Sequence, residues 1–328
     1  MEEKKRMLEV SERPDGRKQI NINYSSLELM QTCMRKAKYR LIDELVKPTK
    51  SAPLVFGSAF HAAMETWYAA PLENRKPIGA KCLDYQDACR VGDPRLITEL
   101  NHGGCARCAA IYSFLQKASD LDTIEYVGAR TIDNGMDIIN GYFDNYPATE
   151  DPFVVHTDKS GPYIERQCEH QIFDGGSFVI NYHGTIDLIL RNTLTEELFI
   201  VDHKTTYSLG KDFYNRIDPN FQYTGYVWLA QQDLGISSKS FMVNGVQVAK
   251  TVKSYRRQHT FRNEDHFHEL KLAVVHAVKR WLDNTKWEEF PMNSPNPCSM
   301  YGGCGYRNIC EVPTKMRDSV IRSNYETG

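Results

Sequence analysis

The sequence predicts an α/β (α+β) fold in which a mixed central sheet is flanked by helices. Two observations carry that prediction. Alternating, β-rich segments crowd residues 153–203 and return over 240–261, while segments with helical spacing precede, separate and follow them. Strands and helices do not alternate as regular βαβ units, so the sheet is expected to be mixed. The 328 residues are enough for one elaborated domain or two, and no internal repeat divides them.

Taken in order, residues 1–20 are polar, carry RPDGRK and lack apolar periodicity, so they read as a mobile N-terminal arm. Ser25 and Glu28 have capping-box spacing, and Leu27, Met30, Met34, Ala37 and Leu41 recur at helical intervals. A helix over 26–46 follows, stopped by Pro48 and Pro53. A second runs from Gly57 to about Ala69. Residues 71–130 hold Pro, Gly and four cysteines with patchy periodicity and read as an insertion. A short helix over 136–146 leads into strands over 153–156, 163–172, 177–190 and 198–203. Then come a helix over 221–232, strands over 240–248 and 254–261, and a long helix over 263–284. The core domain is thus 21–70 with 131–312, and 313–328 is a C-terminal tail.

Composition narrows the function classes. Charged residues make up 25%, the hydrophobic set 41% and aromatics 11%, which excludes wholesale disorder and collagen-like repeats. Mean hydropathy is −0.51. No stretch approaches the roughly 20 apolar residues of a membrane helix, and MEEKKRMLEV is too charged for a secretory signal, so a cytoplasmic protein with no membrane partner is expected. Forty Lys and Arg against 42 Asp and Glu leave a net charge of −2. Any nucleic acid must therefore be met by a local patch.

The chemistry concentrates in four short motifs. HGTIDLIL sets Asp187 among apolar residues, and FIVDHKTT sets Asp202 and Lys204 two apart on one face of a strand. Charged groups in apolar strands need counter-charges. A divalent cation such as Mg²⁺ or Mn²⁺ suits the oxygen ligands, with the lysine orienting a water or offsetting charge on a phosphate. A strand-end ion pair fits the same motif in isolation. GSAFHAAME holds His61 and Glu65 on one helix face, and FQYTGY holds Gln222 and Tyr226 at the same spacing.

In chain order these read GxxxH, GxxD, DxK and QxxxY, and that order resembles the RecB-like branch of the PD-(D/E)xK nuclease superfamily. The likeness runs from about Tyr24 to Cys310, interrupted by the insertion. It implies a restriction-endonuclease-like core that hydrolyses phosphodiesters. By the same resemblance, His61, Asp187, Asp202 and the backbone carbonyl of His203 are metal ligands and Lys204 is the catalytic lysine. Gln222 and Tyr226 would support the site and contact the strand. It assigns Glu65 no role.

Nine cysteines is an odd count, which in a chain without an export signal favours reduced thiols or metal ligation over disulfides. Cys298, Cys304 and Cys310 stand evenly spaced in PCSMYGGCGYRNIC, one ligand short of a tetrahedral site or a cubane. Cys33, in SSLELMQTCMRKAKY, is the candidate fourth. This arrangement resembles the iron-sulfur nucleases of the same branch, including the CRISPR-associated four-cysteine exonucleases. The resemblance implies a [4Fe–4S] cluster tying the first helix to the C-terminal segment. Those relatives have C-x₂-C-x₅-C, and the wider first gap here keeps zinc as the alternative occupant. Cys168 reads as a small buried hydrophobe. Cys105 and Cys108 have metal-knuckle spacing, but Cys82 and Cys89 are six residues apart, so a zinc site and free thiols both stay open.

Two basic runs complete the pattern: Arg35, Lys36, Lys38 and Arg40 beside Tyr39, and Lys250, Lys253, Arg256, Arg257 and Arg262 around Tyr255. Either is a solvated face or part of a groove that tracks a backbone and stacks bases. No Walker A signature supplies an ATP motor. The expectation is a metal-dependent DNA exonuclease of bacterial, archaeal or viral origin, acting on single-stranded or end-containing DNA. It would work alone or beside a helicase, recombinase or CRISPR-type partner. A catalytically inactive nuclease fold used as a DNA clamp or assembly factor is the first rival. A redox or zinc protein leaves the acidic motifs unexplained.

Overall fold

The computed structural model describes residues 7–48, 50–75, 105–299 and 303–327. The chain opens with an antiparallel hairpin of β1 (Leu8–Glu12) and β2 (Lys18–Ile22), turned at Gly16 with φ +79°. Residues 8–20 are therefore not the mobile arm expected from the sequence. β2 lies in the main sheet with Ile20 and Ile22 fully buried. Two apolar residues in KQINI are too short a pattern to separate an inner strand from a loop.

α1 (Tyr24–Thr32), capped by Asn23, and α2 (Met34–Leu41) replace the single helix expected over 26–46. The break is Cys33, whose backbone is extended. Helix ends leave backbone groups without partners, and here a remote segment supplies them. Arg35 N donates to Pro291 O at 3.2 Å, and Asn293 Nδ2 donates to Thr32 O at 2.8 Å. Apolar spacing continues across the break, so periodicity alone conceals it.

After β3 (Leu45–Val46), α3 (Ala52–Ala69) carries Pro53 in its first turn, where a missing N–H is tolerated. α4 (Ala106–Ala118) and α5 (Ile132–Asn145) pack on it through Phe56, Phe60, Ala110, Phe114 and Ile139. Residues 106–118, read from the sequence as part of an insertion, thus belong to the core. Ala110, Phe114 and Ala118 recur every fourth residue and are fully buried. Cys82 and Cys89 lie outside the described residues.

β4 (Phe153–Val155) and a small hairpin of β5 (Thr157–Asp158) and β6 (Gly161–Pro162) precede the long strands β7 (Ile164–Asp174), β8 (Phe178–Asn192) and β9 (Leu198–Thr206). Then come α6 (Phe221–Gln232), β10 (Ser240–Gln247), β11 (Tyr255–Phe261) and α7 (Glu264–Trp287). The sheet order is β1-β2-β8-β9-β10-β11, with β4 and β7 also pairing with β8. β2–β8 and β9–β10 are parallel and the other pairs antiparallel, so the sheet is mixed. Strand alternation sends Ile200 and Phe241 to a cluster with α1, α6 and α7, and Val201 and Met242 to the cluster with α3, α4 and α5. Helices cover both faces.

The C-terminal residues fold back on the start of the domain. Tyr306 Oη donates to Leu45 O at 2.7 Å, and Tyr39, Leu45, Ile309 and Tyr325 form a separate small core. α8 (Thr314–Asn324) leads to β12 (Glu326–Thr327), which pairs with β3. The fully buried position of Ile20 in an inner strand gives a direct test: Ile20→Ala should cost about 2–5 kcal/mol in urea unfolding. A change within about 0.5 kcal/mol would return residues 8–20 to the status of an arm.

Candidate active site

The site begins with strand register. β8 and β9 are antiparallel with Leu188 opposite Val201, and one step further the same register faces Asp187 with Asp202. Asp202 is 1% exposed and the Asp187 side chain 10%. His203 N donates to Asp187 Oδ2 at 3.0 Å, and Lys204 Nζ lies 3.1 and 2.8 Å from Asp202 Oδ1 and Oδ2. Helix α3 brings His61 across both strands. Its Nε2 is 2.8 Å from His203 O, and its Nδ1 is 3.3 Å from Asp187 Oδ2. Gly57, one turn earlier, faces Thr205, whose Oγ1 a Cβ there would meet at an ordinary contact distance of 3.6 Å.

A further carboxylate joins them that sequence reasoning missed. Ile164 pairs with Leu188 and Arg166 with Ile186, which puts Glu165 beside Asp187, with Glu165 itself at φ +47°. Ligand atoms of His61, Glu165 and Asp187 lie within 4.8 Å of one another. Only the register of β7 on β8 reveals this, and a one-residue slip would send Glu165 to the other face.

Electrostatics follow from crowding. Burial raises the Asp187 pKa, the neighbouring Asp202 raises it further, and His61 partly opposes the change. Burial pulls Lys204 down, but Asp202 overcomes it and holds the ammonium charged. The His203 ring is kept neutral, first by burial and then by His61, Arg257 and Lys204. On α6, Gln222 Nε2 donates to Tyr226 Oη at 3.1 Å. Burial, then Asp202 and Asp187, push Tyr226 well above the usual phenol range. Gly184 makes room for that ring, because a Cβ there would sit 3.1 Å from it.

His61, Glu165 and Lys204 open on a cleft of about 590 Å³ whose walls also include Ser58, Glu65 and Lys117. Imidazole, carboxylates and a backbone carbonyl form a donor set suited to a hard divalent cation. The PD-(D/E)XK nuclease superfamily pattern matches residues 21–311. The chain belongs to that superfamily. No curated protein matches it. A crystal structure from Eubacterium rectale, provisionally named an exonuclease, is 15% identical with TM-score 0.48, covering 89% of this chain and 88% of that one. The crystal structure of the protein designated SSO0001 is also 15% identical, with TM-score 0.27, covering 45% and 59%.

In this PD-(D/E)XK protein a buried polar network backs the site. Asn244 Nδ2 lies 2.7 Å from both His203 Nδ1 and Tyr142 Oη, and Tyr142 Oη is 2.9 Å from Tyr68 Oη. Arg257 reaches both hydroxyls at 3.4 Å and grips Asp151 through two 2.7 Å contacts. Arg262 is 1% exposed and donates to Thr224 Oγ1, Thr260 Oγ1 and the carbonyls of Ile217 and Phe261. Lys253 pairs with Asp137, Lys38 pairs with Asp43, and Tyr255 Oη donates to Ile138 O. Tyr39 is buried. Arg257, Arg262, Tyr39 and Tyr255 thus serve internal contacts and not the nucleic-acid groove expected from the sequence, whereas Lys38 and Lys253 stand in partly exposed ion pairs.

The cysteine candidates are brought together across the chain. Asn293 N donates to Cys33 Sγ at 3.5 Å, Cys298 Sγ lies 3.8 Å from Asn293 O, and Cys304 N donates to Cys298 O at 3.0 Å. Burial raises the Cys310 thiol, Arg35 lowers it, and Cys304 and Cys33 are close enough to add to the rise. Cys168 is buried, its thiol pushed up to about 12 by burial. Cys108 is buried at the start of α4 and Cys105 half-buried.

If His61, Glu165 and Asp187 share one cation, Glu165→Gln should weaken Mn²⁺ binding about tenfold or more in calorimetric titration while the melting temperature holds. Unaltered affinity would remove Glu165 from the ligand set.

Proposed function

We propose that this chain is a divalent-metal-dependent DNA nuclease, an exonuclease on single-stranded or end-containing DNA, clasped by a [4Fe–4S] cluster. The observation that carries it is the approach of His61 Nε2 to His203 O at 2.8 Å beside Asp187, with Lys204 against Asp202 in the same cleft. His61, Asp187, Asp202 and the His203 carbonyl would hold Mg²⁺ or Mn²⁺, with Glu165 added. When bound, such a cation polarises a phosphate oxygen and acidifies a water.

The chain's own groups then have distinct tasks. Lys204, one-third exposed, directs its ammonium at the attacking oxygen and offsets the charge that builds on the phosphate. Because Gln222 donates to Tyr226 Oη, the neutral phenol keeps its own proton free for a substrate phosphate. The choice of free ends and single strands rests on the resemblance to the four-cysteine exonucleases.

Cys33, Cys298, Cys304 and Cys310 would hold the cluster. Asn293 contacts both Cys33 and Cys298, and Cys310 lies close enough to Cys304 and Cys33 to feel their charge. Four thiolates suit such a cluster, and zinc accepts the same ligands.

Digestion of end-labelled single-stranded, duplex and closed circular DNA tests the reading. Linear single strands should be degraded and closed circles spared. Asp202→Ala and Lys204→Ala should each lower turnover by about 10²–10³ or more with DNA binding retained; full turnover in either variant would sink the assignment. Oxygen-free purification should yield a brown protein containing iron and sulfide. Cys33→Ala should bleach it and lower its melting temperature, since ligand bonds contribute folding free energy. Retention of full iron by that variant would dismiss Cys33 as the fourth ligand.

A further inference from the structure

The cleft is poor in uncommitted positive charge. Its walls carry Glu65 and Glu165, and among the described residues the only lysines or arginines lining it are Lys117 and Lys204. Asp202 already matches Lys204 at 2.8 Å. Arg257 and Arg262 are buried in internal networks, and Lys253 is paired with Asp137. The whole chain has a net charge of −2 and offers no long-range attraction. Lys117 is left. It is exposed, and it forms no ion pair or hydrogen bond with the described residues.

Its position is fixed by the helix that carries it. α4 packs along α3 through a shared apolar cluster, and Ser113 Oγ lies 2.7 Å from Thr66 Oγ1. Lys117 follows Ser113 by one helical turn and lines the same cleft as His61 and Ser58. A lysine in the last turn of a helix also interacts favourably with the helix dipole. That role would be met anywhere around the helix, whereas this lysine faces the cleft.

We propose that Lys117 is a substrate-positioning residue that binds a backbone phosphate adjoining the scissile one, so that α4 supplies the contact placing the strand over Lys204. This rests on the nuclease reading above. The contact is electrostatic and blind to sequence.

Equilibrium binding of an end-labelled single strand, followed by fluorescence anisotropy across a salt series, tests it without requiring cleavage. Lys117→Ala should weaken binding about tenfold at low salt, and the slope of log K against log salt should shrink by about 0.7, the loss of one phosphate contact. Lys117→Arg should restore both, and the melting temperature should not move. Unchanged affinity and slope in the alanine variant, or failure of arginine to restore them, would overturn the proposal. So would a wild-type chain that binds no single strand. Cleavage measured in parallel separates the two readings: lysine-dependent binding by a chain that cuts nothing would uphold the phosphate contact and refute the nuclease.

Discussion

Two carboxylates facing one another inside the protein set the terms for everything around them. Asp187 and Asp202 each adjoin the last paired residues of β8 and β9, Asp202 almost fully buried, and Asp202 lies close enough to raise the pKa of Asp187. A fold maintains such a pair only by surrounding it with donors and cations. His203 N and His61 serve Asp187, while Lys204 serves Asp202. Glu165 adds a third carboxylate beside His61 and Asp187. A divalent cation bound there would offset part of that negative charge. The electrostatic cost of crowding the carboxylates and the metal affinity of the site would then have one origin.

That arrangement demands a rigid β9. Three consecutive residues of this strand contribute to the site, Asp202 and Lys204 by side chain and His203 by its carbonyl. The His203 ring meanwhile enters the opposite layer, between Phe60, Tyr68 and Asn244. Asn244, Tyr142, Tyr68, Arg257 and Asp151 continue the chain of contacts to the far side of α5. A buried Arg–Asp pair is weak evidence for stability, because desolvation offsets much of the attraction. Its consequence here is geometric. It admits one arrangement of the strand beneath the carbonyl, as a preorganised site requires.

Much of this was legible in the sequence wherever a short-range pattern carried it. The strand period put Asp202 and Lys204 on one face, and the helical period paired His61 with Glu65 and Gln222 with Tyr226. The sequence concealed features set by remote partners. Glu165 depends on the register of β7 against β8, which no local pattern encodes. β2 is an inner strand only because β8 lies beside it. The helix break at Cys33 is satisfied by Pro291 and Asn293, more than 250 residues away. Arg257 and Arg262 read as surface cations because composition cannot distinguish a solvated guanidinium from one enclosed by carbonyls and hydroxyls. Gly184, by contrast, sits in a motif recognised before its steric purpose was visible.

The cysteine-bearing segments and the acidic site are joined through α1. Cys33 ends that nine-residue helix, and its extended backbone is held by the segment that leads to Cys298. Leu27 and Met30, on the same helix, are buried in the cluster with Val227 of α6, the helix that positions Gln222 and Tyr226. Glu28 completes the link, for its negative charge is one of those that favour the ammonium of Lys204. A displacement of the C-terminal segment would therefore move the C-cap of α1. The packed core transmits such shifts because interiors are close-packed and poorly compressible. A clasp at this end of α1, if the four cysteines hold one, would constrain the lysine and the tyrosine helix together, and a structural cluster would then have a reason to lie outside the cleft.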